Sequence, residues 1–254
     1  MKKIKSFLSV MLAIMLVSVF AANLTVSAAS SKNLNTTMQK QVTPYFCGVA
    51  SLQSVLWNEY ERFSGTGVAS NVTKAAKKAI ISNQYLVAAN IKSHSGYDVI
   101  KNTQTPWFIG SKDSQASDTN YNPLCKTLNE MTNCKWNIFG RYTNTGKFES
   151  STVKSKIVNS INKGHCVLAN GASSKISYKV IINNKNVDYP KTSGHWVVVT
   201  GYENNGNTLI IADPAAKSPA LGSSWQNLST TYKVSLSEFT KYIGNGSHGI
   251  VYAQ

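Results

Sequence analysis

Cys47 is the residue of this chain best placed to act as a nucleophile. It stands in the run Gln41-Val42-Thr43-Pro44-Tyr45-Phe46-Cys47-Gly48-Val49-Ala50-Ser51, at the threshold of a predicted helix. Amide dipoles at a helix N-terminus favour a thiolate by about 0.3–1 kcal/mol, and the thiolate is the form that attacks. Gly48 and Ala50 are small, which leaves room for a substrate carbonyl beside the sulfur. First-turn amides have no helical acceptor, so the Cys47 N–H is expected to be free to stabilise an oxyanion. Gln41, six residues earlier, is the candidate for a second oxyanion donor. Gln39 competes with it by type, whereas Gln53 is expected to point along the helix and away from its mouth.

A thiol needs a base, and the base needs an orienting group. His195 opens the run His195-Trp196-Val197-Val198-Val199-Thr200-Gly201-Tyr202, a continuously apolar strand and so a central one. A histidine at the end of such a strand is held rigidly, as a general base must be. Asp213 closes the next apolar run, Ile210-Ile211-Ala212-Asp213-Pro214. The intervening Glu203-Asn204-Asn205-Gly206-Asn207 predicts a hairpin turn. His195 and Asp213 are nearly symmetric about that turn, so the carboxylate comes within reach of the imidazole and can fix its tautomer. A lone Cys, His or Asp-Pro carries little weight; their order, with a Gln before the Cys, is specific. His165, after Gly164 at a strand start, is the best rival base but has no carboxylate at hairpin distance. His94 and His248 lie in Ser- and Gly-rich contexts and are expected to be exposed.

The elements that must hold these groups follow from periodicity. Gly48–Phe63 carries Val49, Leu52, Val55, Leu56 and Phe63 at helical spacing, with a stop at Gly65-Thr66-Gly67. Val72–Ile81, Tyr121–Met131, Ser151–Asn162 and Ser235–Ile243 also read as helices. Trp136–Tyr142, Cys166–Ala169, Ile176–Ile182, His195–Tyr202, Thr208–Ala212 and Gly249–Tyr252 read as strands. Ser93–Asn120 reads as a long polar loop anchored by Trp107-Phe108-Ile109, and long loops in compact domains are often functional. Helices first and strands second predict an α+β fold, a helical N-terminal part packed on a C-terminal antiparallel sheet.

At 254 residues the chain is long enough for one well-buried domain. The first 28 residues are expected not to belong to it. Lys2, Lys3 and Lys5 precede an apolar run from Phe7 to Ala22, and Val26-Ser27-Ala28 supplies small residues. This is the pattern of a secretory signal peptide cleaved after Ala28, leaving a domain over residues 29–254. No lipobox cysteine follows the apolar run and no later segment is apolar enough to span a bilayer. Without the three lysines, 23 basic residues face 11 acidic ones, a balance of +12. A basic exported protein is drawn to anionic partners such as cell-wall polymers. Its lysines are scattered and Arg occurs only at Arg62 and Arg141, so nucleic acid is not an expected partner.

Four cysteines occur, with no CxxC pair, and no His, Asp or Glu cluster has metal-ligand spacing. Neither a metal nor any other cofactor is expected. Cys125 and Cys134 bracket a short helical stretch and are a possible disulfide. Cys166, in the apolar run Cys166-Val167-Leu168-Ala169, reads as a core residue.

These motifs resemble those of the papain-like cysteine peptidases. The likeness is greatest to the bacterial branch related to the double-glycine leader peptidases that trim bacteriocin precursors. It rests on Gln41, Cys47-Gly48, Gly194-His195-Trp196 and Asp213-Pro214, with the helix-then-Gly unit Ile161-Asn162-Lys163-Gly164, and spans residues 39–254. The resemblance implies Cys47 as nucleophile, His195 as base, Asp213 as orienting group and Gln41 as oxyanion donor. It implies an enzyme that hydrolyses peptide or amide bonds through a thioester on Cys47; the signal peptide makes the expected location extracellular, and a monomer is expected. The leader peptidases proper are fused to transport ATPases, and this chain has no Walker motif, so leader cleavage does not carry over. Two other readings remain: an amidase or acyltransferase acting on cell-wall peptides or proteins, and a non-catalytic cell-surface binding protein.

Overall fold

The computed structural model describes residues 29–63, 74–105, 122–140, 149–244 and 248–254. Its elements run β1 (Lys32–Asn33), α1 (Cys47–Arg62), α2 (Lys74–Ile81), α3 (Gln84–Ser95), α4 (Val99–Asn102), α5 (Pro123–Met131), β2 (Trp136–Gly140) and α6 (Ser150–Asn162). They continue β3 (Val167–Gly171), β4 (Lys179–Ile182), β5 (Lys185–Asp188), β6 (His195–Glu203), β7 (Thr208–Ala212), α7 (Ser223–Gln226), β8 (Thr231–Ser235), α8 (Leu236–Gly244) and β9 (Gly249–Ala253). The strands form one antiparallel sheet in the order β2-β9-β3-β6-β7-β8-β4-β5, with β1 pairing β6 off that path. The architecture is α+β, with most of the helices preceding most of the sheet.

The core lies where α1 crosses the sheet. Val49, Leu52, Val55 and Leu56 recur on one side of α1 and are buried. At about 1.5–3 kcal/mol for each such side chain, burial rather than propensity holds this helix. It packs on β6, in which His195 to Tyr202 are all buried. That explains the uninterrupted apolar run: both faces of this central strand are covered. No side chain caps the N-terminus of α1, so its first amides are left to whatever lies at its mouth.

The hairpin between β6 and β7 is tight but not a two-residue turn. Asn204–Gly206 form one turn of 3-10 helix, and a bulge at Thr200 shifts the register from Val199↔Ile211 to Gly201↔Ile210. α6 ends before Gly164, whose φ of +95° suits glycine.

Several expectations need correction. Gln84–Ser95 is a helix that the sequence reading did not separate from its surroundings, and it carries His94, half-buried. His248 is buried and bonded to Asn170. Strands β5 and β8 were also not foreseen. The proposed signal peptide, the Gly65–Gly67 stop and the Trp107–Ile109 anchor lie outside the described residues. All four cysteines are free thiols, Cys125 and Cys134 included. Among the described residues no helix is long and apolar enough to cross a membrane.

Gly171 ends β3 opposite His195, and a Cβ there would lie 2.2 Å from the Tyr242 ring. Gly171→Ala is therefore expected to lower stability by about 1–3 kcal/mol through overpacking, read as a shift of the urea midpoint. An unchanged midpoint would show that Tyr242 can move at no cost.

Candidate active site

The uncapped start of α1 and the leading end of β6 meet. Cys47 is the first residue of the helix, and its sulfur hydrogen-bonds the His195 ring and the backbone N–H of Trp196. The Thr105 hydroxyl lies 3.8 Å from the same sulfur and accepts the Gly48 N–H at 3.3 Å. Burial alone would raise the Cys47 pKa, but the bond and charge of His195, with the Trp196 amide, lower it below the ordinary thiol value.

His195 is 4% exposed. Its Nε2 lies 2.8 Å from Asp213 Oδ1, so the remaining ring nitrogen, Nδ1, serves Cys47. Burial pushes the imidazole pKa down, and the Asp213 and Cys47 contacts push it further up, leaving it raised. Thiolate and imidazolium thus favour each other.

Asp213 is fully buried. A carboxylate there must have its lone pairs satisfied, or its burial would be very costly. Oδ1 accepts from His195 and from the Ala215 N–H at 2.9 Å. Oδ2 accepts from the Tyr189 hydroxyl at 2.6 Å and the Tyr232 hydroxyl at 3.0 Å. Four donors fill about four acceptor positions. Burial raises the Asp213 pKa, but the His195 charge and these bonds outweigh it and hold the carboxyl below its usual range. Tyr242 donates to the His195 carbonyl at 2.9 Å and stacks on Tyr178 at 4.7 Å. Trp225, from α7, lies 5.1 Å from the His195 ring and shields the pair.

Gln41 is buried but does not line the pocket at Cys47. Its Nε2 donates to the Thr43 carbonyl at 2.8 Å, and its Oε1 has no hydrogen-bond partner. Its backbone is tied to the loop after Asp213: the Gln41 N–H donates to the Pro214 carbonyl, and Ser218 Oγ donates to the Gln41 carbonyl. The same loop therefore holds the carboxylate and the segment leading into Cys47. Gln53, as expected, points elsewhere, to the Ile81 carbonyl.

The pocket beside the sulfur has a volume of about 170 Å³, with Tyr45, Thr105, Asn170 and Trp196 among its walls. Gly48 has a different use from the one its size suggested. A Cβ on it would lie 2.0 Å from Thr105 Cγ2 and 2.9 Å from Trp196, so the missing side chain admits those two residues. Sequence reasoning missed Thr105, Trp225 and the tyrosines around Asp213. Thr105 falls in the segment read as an irregular loop, and Tyr232 lies on the unforeseen β8. Only the number of tyrosines, 12, hinted at a buried phenol network.

No curated protein matches the sequence. Among solved structures, the bromelain protease from Ananas comosus in complex with the E64 inhibitor is similar, with 11% identity over 89% of this chain and 98% of that one. The TM-score of that match is 0.34. Residues 33–238 match the Peptidase_C39 like family. That span contains the helix-borne cysteine and the strand-borne histidine described above, and on it the chain belongs to the Peptidase_C39 like family.

Proposed function

We propose that residues 29–254 form an exported cysteine peptidase domain behind a signal peptide of 28 residues, with Cys47 as nucleophile, His195 as base, Asp213 as orienting group and Gln41 as oxyanion donor. The observation that carries the assignment of roles is the single imidazole that hydrogen-bonds Cys47 on one side and the buried Asp213 on the other. Cys47 Sγ attacks the substrate carbonyl as a thiolate. The oxyanion is stabilised by the Cys47 N–H and by the second N–H of the Gln41 amide, the first being engaged with Thr43. His195 gives its proton to the leaving amine, then takes one from the water that hydrolyses the thioester. Asp213 stays ionised and keeps the ring aimed. The basic balance supports a polyanionic neighbourhood such as the cell wall, with peptide or protein as substrate.

The pH dependence has a definite sign. The thiolate is present above the depressed Cys47 pKa, and the imidazolium is present below the raised His195 pKa. The ion pair exists between the two. Alkylation of Cys47 by iodoacetamide should stay fast below neutral pH and fall only as the pH drops through the Cys47 value. His195→Ala should abolish that low-pH reactivity, and Asp213→Asn should lower turnover on the order of 10⁴-fold. A Cys47 that is alkylated no faster than a peptide thiol at every pH removes the assignment.

Substrate is tested by incubating the purified protein with a peptide library and with purified wall fragments, reading products by mass. Hydrolysis products that vanish in Cys47→Ala are the expected result. Products joined to an added amine would mark an acyltransferase instead. Turnover that survives Cys47→Ala overturns the proposal.

A further inference from the structure

A second cysteine, histidine and carboxylate come together away from Cys47. Glu59 is twelve residues further along α1, about 18 Å of helix. His165 follows α6, and Cys134 lies between α5 and β2. His165 Nδ1 lies 2.9 and 3.1 Å from the two Glu59 oxygens. Its other face of chemistry, Nε2, is left for the Cys134 thiol, with which the ring hydrogen-bonds. The ring is fixed by more than its charge. It stacks on Phe63 with centroids 4.5 Å apart and planes 15° apart, and it meets the edge of Trp136 at 5.8 Å. Burial pushes the His165 pKa down, and the Cys134 and Glu59 contacts push it up to about 9. Glu59 and His165 are buried, whereas Cys134 is half-exposed. All three line a cavity of about 510 Å³, whose apolar wall is built by Leu56, Phe63, Ile81 and Met131 and whose remaining lining includes Lys77 and the polar Thr132 and Asn133. The cavity shares no lining residue with the pocket at Cys47.

The order of groups repeats that of the candidate active site, but the chemistry it suits is narrower. Cys134 follows the C-terminal end of α5, where helix carbonyls rather than amides converge, so nothing there resembles an oxyanion hole. Among the described residues no three His, Cys, Asp or Glu side chains are disposed to hold a metal ion. Attack on sulfur needs neither an oxyanion hole nor a metal. It needs a thiolate, access, and a proton for the departing sulfur.

We propose that Cys134 is a thiol–disulfide exchange site that takes up a small, uncharged, apolar disulfide in the cavity walled by Leu56, Phe63, Ile81 and Met131, with His165 as its proton partner and Glu59 holding His165. The reacting state is the pair in which Glu59 holds His165 as an imidazolium and Cys134 is its thiolate partner, and this thiolate attacks one sulfur of the disulfide. A Cys134 S–S bond forms as the disulfide's own S–S bond breaks. The departing thiolate takes the proton from His165. One thiol and one disulfide enter, one thiol and one mixed disulfide leave, and the incoming disulfide is the only oxidant. The site does not depend on the peptidase assignment.

The test uses the full chain carrying Cys47→Ala, so that the other reactive thiol is silent, and 4,4′-dithiodipyridine as probe. Thiopyridone release gives the rate and peptide mass mapping gives the position. Cys134 is expected to be the residue modified, at about tenfold the rate it shows in urea. His165→Gln is expected to remove that advantage. Should the variant fail to fold, the comparison of folded and unfolded chain with His165 intact decides alone. Modification at Cys125 or Cys166 in place of Cys134, or a folded rate no greater than the unfolded one, overturns the proposal.

Discussion

A carboxylate with no access to water sets the terms for the rest of this molecule. Asp213 is fully buried and accepts from His195, Ala215, Tyr189 and Tyr232. Removing any one donor would leave an acceptor unpaired in the interior, at about 1–3 kcal/mol or more for a charged group. Each donor comes from a different stretch of chain: β6, the loop after β7, the segment after β5, and β8. The sheet must therefore be assembled in its register before the charge can be tolerated. Once it is, the His195 ring has one orientation, and its free nitrogen meets the start of α1. The chemistry at Cys47 is thus a consequence of how a buried charge is satisfied on the far side of the imidazole.

The same economy appears at the mouth of α1. A capping side chain would have satisfied the first amides and closed the site. None is present. The Thr105 hydroxyl takes its place at the Gly48 N–H, and Gly48 is what lets Thr105 come so near. The loop after Asp213 is bonded to Gln41 through Pro214 and Ser218. A shift of that loop would move the carboxylate and the approach to Cys47 together.

Much of this was legible in the sequence, for identifiable reasons. The helix from Cys47 and the strands from His195 and Thr208 carry long, regular apolar patterns, and those patterns are what burial on one element enforces. The pairing of His195 with Asp213 follows from a short connection, since a tight hairpin brings its outer ends side by side. What stayed hidden depends on long-range packing. Tyr189 and Tyr232 reach the site from segments whose local patterns are weak, β5 being exposed throughout, and Tyr242 comes from a legible helix whose partner across the fold was not. Glu59 and His165 are 106 positions apart, so the carboxylate sought near His165 in sequence comes instead from α1. His248 looked like a loop residue because its Gly- and Ser-rich neighbours say nothing of Asn170, which buries it.

Asp213 and Cys47 together raise the His195 pKa and so hold the ring as an imidazolium. Nitrogen-15 NMR of labelled histidine, with the His195 signal identified from a His195→Gln sample, measures this directly. Both ring nitrogens of His195 are expected to be protonated at pH 7, and to lose that state on Asp213→Asn substitution. A neutral His195 ring at pH 7 in the unaltered protein would contradict the account.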